Sequence, residues 1–422
     1  MRQAPKLHIN GDEINMKKLP LVLTLSAASV CGLASAQSSV QVYGRLYPYL
    51  NSEKTSGATA VGTTGMATLA ASPAGPSALS GGIKGMSAGN SRLGFRGTED
   101  LGGGLKAVFQ LESVVAVDNG AAGSTTSFWN RDTFVGLRGG FGIIRLGLMD
   151  TVFKQYGDTI GVLGVSSGTP MSSSNLLRKV GFGTSNNSRF HERRANSIRY
   201  DSPNFGEGFE VGVQVATNEG PVAGVTTGTG SAKTFSYGLK YDQGPFYAAI
   251  AYEVHDNWYG GSSNAPTARR NLTTAGVDAK DTALQLTLEW RPGKVHKFAF
   301  DVIKKDYDES ANVAGRFKSY SNTAYLLAWE ARWSPKWRTV AQIVKSDAGS
   351  CTLVGTACST DGLDASKVIV GASYYLSRRT YVFAMYDKLT NGKSARFSAN
   401  DFGNVNPGED TTHMIMGLSH AF

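Results

Sequence analysis

The sequence predicts an all-β protein, a 16-stranded antiparallel transmembrane β-barrel with short turns at one end and long loops at the other. Three observations carry this. Alternating strands recur along the chain, and their connections are by turns short and long. The last residues, His413-Met414-Ile415-Met416-Gly417-Leu418-Ser419-His420-Ala421-Phe422, form a two-faced strand ending on a bare aromatic. Period two marks a strand whose faces meet different surroundings. In a soluble sheet such a strand would leave an apolar edge open to another chain. In a closed barrel it is paired on both sides, and Phe422 sits in an aromatic belt at a membrane surface.

The N-terminus reads as an export signal. Lys17 and Lys18 precede an apolar run over 19–33, and Ala34-Ser35-Ala36 supplies small residues at the cleavage positions. This predicts a signal peptide cut before Gln37. Residues 1–15 are polar and fit no signal, so translation is expected to begin at Met16. Cys31 follows Ala28-Ser29-Val30, a poor lipobox, and cleavage after Ala36 is preferred. The expected organisation is 1–36 as extension and signal, and 37–422 as one barrel domain.

After the signal comes a single strand, 40–50. Seven hairpins follow. Their strands cover 91–97 and 105–115, 131–137 and 143–148, 197–200 and 209–215, 235–241 and 246–254, 283–290 and 297–303, 324–333 and 338–345, and 368–376 and 380–387. The strand 412–422 completes an even set of 16, as closure of an antiparallel barrel requires. Strands of about 8–12 residues cross a bilayer when tilted by about 45°. Phe141, Phe205, Tyr241, Phe246, Trp290, Trp333, Trp337, Tyr375 and Tyr381 lie within a few residues of the short turns. That clustering suggests an interfacial girdle.

Composition agrees. The whole chain carries a formal charge of +9, and loss of 1–36 removes four basic and two acidic residues, leaving +7. No later apolar run reaches the roughly 18–20 residues of a transmembrane helix. A mean hydropathy of -0.18 suits a barrel whose lumen-facing half is polar. Cys351 and Cys358 stand in a Gly/Ser/Thr-rich stretch and are expected to form a disulfide in an oxidising compartment. A metal site is the less favoured alternative, because no His or second Cys pair lies near. No cofactor is expected. The histidines form no metal-ligand pair, and no nucleophile or phosphate-loop motif is complete, which argues against an enzyme. Basic residues are scattered rather than clustered, which argues against nucleic acid.

Particular runs resemble the Gram-negative general porins of the betaproteobacterial and neisserial kind. They are Ser39-Val40-Gln41-Val42-Tyr43-Gly44, Ser91-Arg92-Leu93-Gly94-Phe95-Arg96-Gly97-Thr98-Glu99-Asp100-Leu101-Gly102-Gly103-Gly104-Leu105-Lys106-Ala107, Asn196-Ser197-Ile198-Arg199-Tyr200-Asp201-Ser202-Pro203, Tyr375-Leu376-Ser377-Arg378-Arg379-Thr380 and Gly417-Leu418-Ser419-His420-Ala421-Phe422. The segment from Arg131 through Phe134-Val135-Gly136-Leu137 matches as well. The resemblance covers essentially all of 37–422. It implies a homotrimeric, water-filled channel in the outer membrane, among lipopolysaccharide, passing small hydrophilic solutes and ions. It also implies that Phe422 is read by the barrel-assembly machinery, and that the third long loop, about 150–194, folds into the lumen as a constriction.

Several residues are expected to line that constriction. Arg92 and Arg96 share the lumen-facing parity opposite Leu93 and Phe95. Arg45 lies on the same face as Gln41 and Tyr43. By the resemblance, Arg131 and Arg193 occupy the family's other wall-arginine positions. The loop 150–194 carries the acids Asp150, Asp158 and Glu192 against six bases, Lys154, Arg178, Lys179, Arg189, Arg193 and Arg194. A cation-selective pore would place an acidic ring there, so anion preference is expected. Gly147-Leu148-Met149-Asp150 departs from the family's usual Gly-Arg-Gln and leaves open whether Asp150 reaches the lumen. Two alternatives to a general diffusion channel are a substrate-specific porin and a surface adhesin. Tyr43, Tyr47 and Tyr49, on one parity of the first strand, are a weak hint of the former.

Overall fold

The computed structural model describes residues 39–77, 83–121, 127–157, 169–218, 231–399 and 404–422. The expected signal peptide, the start at Met16 and the candidate Asp158 lie outside them.

Strands follow from the alternation and end where Gly, Pro and Asp take over. They are β1 Ser39–Leu46, β2 Tyr49–Ser56, β3 Ile83–Ser87, β4 Arg92–Gly102, β5 Leu105–Val114, β6 Thr133–Gly139, β7 Gly142–Asp150, β8 Arg193–Asp201, β9 Phe209–Thr217 and β10 Lys233–Gln243. The remainder are β11 Phe246–Asp256, β12 Ala279–Trp290, β13 His296–Glu309, β14 Phe317–Arg332, β15 Trp337–Ser346, β16 Ser350–Leu353, β17 Ala365–Tyr375, β18 Thr380–Asn391 and β19 Asp410–Ala421. Every pairing is antiparallel. β1 and β2 are halves of one stave, as are β3 and β4, and β16 pairs with the loop end of β14, so the wall has 16 staves. The barrel closes where Gly44 and Phe422 exchange backbone hydrogen bonds of 3.2 and 3.1 Å.

Burial along the strands is inverted relative to a soluble sandwich. On β12, Asp281, Gln285, Thr287 and Glu289 are buried, whereas Leu284, Leu286, Leu288 and Trp290 are exposed. The polar face looks into the barrel and the apolar face outward to lipid. At the short-turn end Phe141, Phe205, Phe246, Trp290, Trp333 and Trp337 are outward and exposed, a girdle of the expected kind.

The structure corrects the sequence reading in four places. The strand 40–50 is broken at Tyr47-Pro48, because proline has no N–H for the ladder. The neighbouring stave bends beside it, where Tyr47 donates its N–H to Ser91 Oγ (2.7 Å). The short β3 was not anticipated, and β14 is 16 residues long, beyond the expected 8–12. Tyr375 and Tyr381 are not girdle residues: both turn into the lumen, where Tyr381 packs in a cluster with Tyr47, Tyr49 and Phe383, and the outward neighbour of Trp337 is Tyr374.

The third long connection enters the lumen. Its helix α1 Val152–Gly157 lies against the inner faces of β9–β12. Phe153 N–H donates to Ser236 Oγ (2.9 Å), and Tyr247 donates its hydroxyl proton to Tyr156 O (2.7 Å). Its helix α2 Ser174–Leu177 reaches β14, β15 and β17. Leu176, Leu177, Val180, Phe182 and Phe190 sink into an apolar seat that includes Ile303, Tyr307, Phe317 and Tyr320. Burial of these side chains holds the loop across the barrel.

Candidate functional site

Two guanidiniums, Arg92 and Arg131, converge on one carboxylate at the inner wall, and a third, Arg45, stands beside them. Arg45 on β1 stands opposite Arg92 on β4. Arg92 Nε lies 3.6 Å from Glu112 Oε2, and Tyr43 donates its hydroxyl proton to that oxygen at 3.0 Å. Arg131 ion-pairs with the other oxygen of Glu112 and donates from Nη1 to Asn90 Oδ1 at 3.1 Å. Arg45 covers the ring of Tyr47, with 4.8 Å from guanidinium carbon to centroid. The parity of β1 and β4 aims these side chains inward, while Val40 and Val42 face lipid, 65% and 54% exposed.

A second cluster stands at the root of the loop. Asp150 ends β7 and Arg193 begins β8. Asp150 does reach the lumen, where Lys154 Nζ (2.9 Å) and Arg193 Nη2 (2.8 Å) share its Oδ1. Arg193 Nε also pairs with Asp132 Oδ1 at 2.5 Å. Lys154 and Arg193 therefore balance Asp150 and Asp132, two cations for two acids, and the cluster adds no free negative field.

Between wall and loop lies a cavity of about 240 Å³. Among the described residues it is lined by the cations Arg131, Lys154, Arg178, Lys179, Arg189 and Arg193, by one carboxylate, Glu192, and by His191. Burial, and then Arg178, Lys154, Arg189 and Arg193 around it, hold the His191 imidazole well below its usual pKa, so it is neutral at pH 7. Wall lysines pin the loop backbone. Lys305 donates to Leu177 O (3.0 Å) and Lys179 O (2.7 Å), and Lys367 donates to Pro170 O and Ser172 O while pairing with Asp387 (3.1 Å). Arg178 lies 3.3 Å from Asp301 on the opposite wall.

Of the sequence candidates, Arg45, Arg92, Arg131, Arg193 and Asp150 are brought to this region. Arg96 is not: it lies toward the short-turn mouth, hydrogen-bonded to Gln41 (2.9 Å) and stacked on Tyr43. Phe422 closes the barrel seam, and Cys351 and Cys358 are joined with Cα atoms 5.7 Å apart. Sequence reasoning missed Asp132, and it missed Arg145 and Arg199, which both pair with Asp201 below the neck. Tyr47 and Tyr49 are buried against Phe383 and Ile415 and form no track along the loops.

A closed barrel with an apolar outside, a polar inside and an ionic neck is a membrane-spanning aqueous channel. Known proteins agree. Residues 23–394 match the Gram-negative porin family. Major outer membrane protein P.IB of Neisseria meningitidis serogroup B is 31% identical over 335 residues, covering 79% of this chain and 83% of that protein. The P.IB protein of Neisseria lactamica is 26% identical over 338 residues, with the same coverage of 79% and 83%. Among solved structures, the anion-selective porin from Comamonas acidovorans superimposes with a TM-score of 0.63 at 22% identity, covering 92% of this chain and 100% of that one. The chain belongs to the Gram-negative porin family. It is an outer-membrane diffusion channel and not an enzyme.

Proposed function

We propose that Arg45, Arg92, Arg131 and Arg193 form the constriction's cationic wall and make the channel prefer small anions. The observation that carries this is the pairing of both Arg92 and Arg131 with the single carboxylate of Glu112, with Arg45 directly opposite Arg92. Guanidinium charge is permanent, and a low-dielectric neck magnifies it. The loop adds cations on the far side, and its Asp150 is offset locally. The anion-selective Comamonas porin shares the fold. Reversal potential of the purified protein in a KCl gradient tests the reading. A potential of anion-selective sign is expected; one near zero or of cation-selective sign would remove the arginines from this role.

The channel works as a homotrimer on this reading, surrounded by lipopolysaccharide, after export through its signal peptide and insertion by the barrel-assembly machinery. The family membership and one solved relative in a trimer form support the oligomer. Cross-linking in native outer membranes tests it, with a trimer band expected.

A further inference from the structure

On the inner wall, between the neck and the short-turn mouth, three ladder rows run side by side across β4–β7. The row nearest the neck is Arg96, Gln110 and Phe134, and the next is Thr98, Val108, Gly136 and Arg145. The row nearest the mouth ends in Arg138 and Ile143. All point into the lumen, because Val135, Leu137, Ile144 and Leu146 at the alternate positions are exposed to lipid. The middle row is low: Val108 is short and Gly136 has no side chain. Longer side chains stand around it and enclose a cavity of about 340 Å³. The guanidiniums of Arg96, Arg138 and Arg145 line this cavity, with the amides of Gln41 and Gln110. Among the described residues no carboxylate lines it.

The charge here is incompletely matched. Arg96 spends only Nε, on Gln41 (2.9 Å). Arg145 gives Nη2 to Asp201, which Arg199 shares at 2.7 Å, and its buried Nε has no acceptor among the described residues. The Arg138 side chain has neither ion pair nor hydrogen bond among the described residues. The inward acid of β4, Asp100, stands opposite Lys106. Across the lumen, near the same mouth, charges pair off: Glu289 with Arg291 and Lys297 (2.6 Å), and Glu330 with Arg338. The apolar side chains are equally out of place. Inward positions of an aqueous barrel are polar, yet Val108, Phe134 and Ile143 stand between the guanidiniums. The Phe134 ring centroid lies 5.3 Å from the Arg145 guanidinium carbon. A bare inorganic anion makes no use of an apolar floor. A carboxylate on a flat apolar body uses both halves. Guanidiniums take the carboxylate in bidentate pairs, and the body lies on Val108 and against Phe134.

We propose that this cavity is an exit-side binding station for small aromatic carboxylates, separate from the neck. It rests on the anion preference of the neck, which admits such solutes, and it names their class. The test uses the full-length protein in planar bilayers, with benzoate, acetate, benzamide and inorganic phosphate added in turn to KCl. Benzoate should interrupt the current at a concentration about tenfold below that needed for any of the others, since only benzoate offers both charge and ring. Arg138→Gln should remove that advantage, and its barrel should stay folded because the side chain is exposed and unpaired. Phe134→Thr should remove it too, without removing a charge. Acetate or phosphate as effective as benzoate would overturn the proposal and leave a general positive field. Benzamide as effective would overturn it in favour of apolar contact alone. An undiminished benzoate advantage in a conducting Arg138→Gln channel would overturn it as well. Failure of the neck reading is a different result: a cation-selective reversal potential in plain KCl, with the order of the four solutes untouched.

Discussion

Arg45 and Arg92 face each other across the β1–β4 ladder, with both side chains in the lumen. Like charges directly opposite in a sheet oppose folding by several tenths of a kcal/mol to about 1 kcal/mol. Here Glu112 pairs with one member, Tyr43 holds that carboxylate with a hydrogen bond, and Arg131 is a second cation on it. A fold under no functional constraint would have little use for two arginines at that register. Each charge also has a partner other than the opposing arginine: Arg92 has Glu112, and Arg45 has the face of the Tyr47 ring.

The wall lysines beneath the loop give a first prediction. Lys305 and Lys367 each bond two loop carbonyls, and both are buried. Each bond contributes about 1 kcal/mol, and more at Lys367, whose charge is held by Asp387. Replacing both lysines by Met should free the loop without unfolding the barrel. Single-channel records should show more current noise, and trypsin should cut more readily at Arg178 or Lys179. Quiet channels and an uncut loop in the double variant would show that the apolar seat alone holds the loop.

Deletion of Phe422 removes the two backbone bonds that close the seam at Gly44 and takes away an exposed aromatic at the membrane surface. Insertion should fall several-fold while synthesis is unchanged. The measurement is heat-modifiable protein in outer-membrane fractions. Wild-type amounts there would mean that neither closure nor recognition depends on this residue.

The disulfide should matter little to assembly. Cys351 is in β16 and Cys358 lies seven residues on, outside the wall. A cross-link over so short a loop removes about 2–3 kcal/mol of chain entropy from the unfolded state, and only locally. Cys351→Ser should therefore keep the folded barrel and its conductance, with at most a small drop in melting temperature. Loss of the folded barrel would place the segment in the wall instead.

Most of the barrel was legible because lipid outside and water inside impose opposite demands on alternate residues, as along Ala279–Trp290. Pro48 was a visible warning that the first strand breaks, since proline cannot donate to the ladder. Ile83–Ser87 is too short, and too interrupted by Gly85 at φ +118°, to show a period. Tyr375 and Tyr381 were assigned by nearness to a turn, but parity decides the face: Lys367 and Asp387 on the same strands share their side and point inward. Arg45 and Arg92 could be read by the same parity. Asp132 could not, because its partner Arg193 is 61 residues away and meets it only when the loop returns.

Selectivity allows substitutions of opposite sign at one cluster. Replacing Arg92 and Arg131 by Gln removes both cations that pair with Glu112. The reversal potential should shift toward cations, and the barrel should stay folded, because both side chains face water rather than lipid. Replacing Glu112 by Gln removes the carboxylate that both arginines pair with among the described residues. The shift should then be toward anions, with some loss of stability, since the half-buried Arg92 and Arg131 lose their charged partner, at a cost of about 1–3 kcal/mol. Both shifts should shrink with added salt, as the Debye length falls from about 10 Å at 0.1 M to about 3 Å at 1 M. The paired design separates a local field from a general change in pore size. A narrower or wider neck changes conductance for both ions and moves both variants the same way. Charge at the neck moves them apart. If both variants shifted alike, or neither shifted, the arginines around Glu112 would be structural and the selectivity would come from the loop cations Lys154, Lys179 and Arg189.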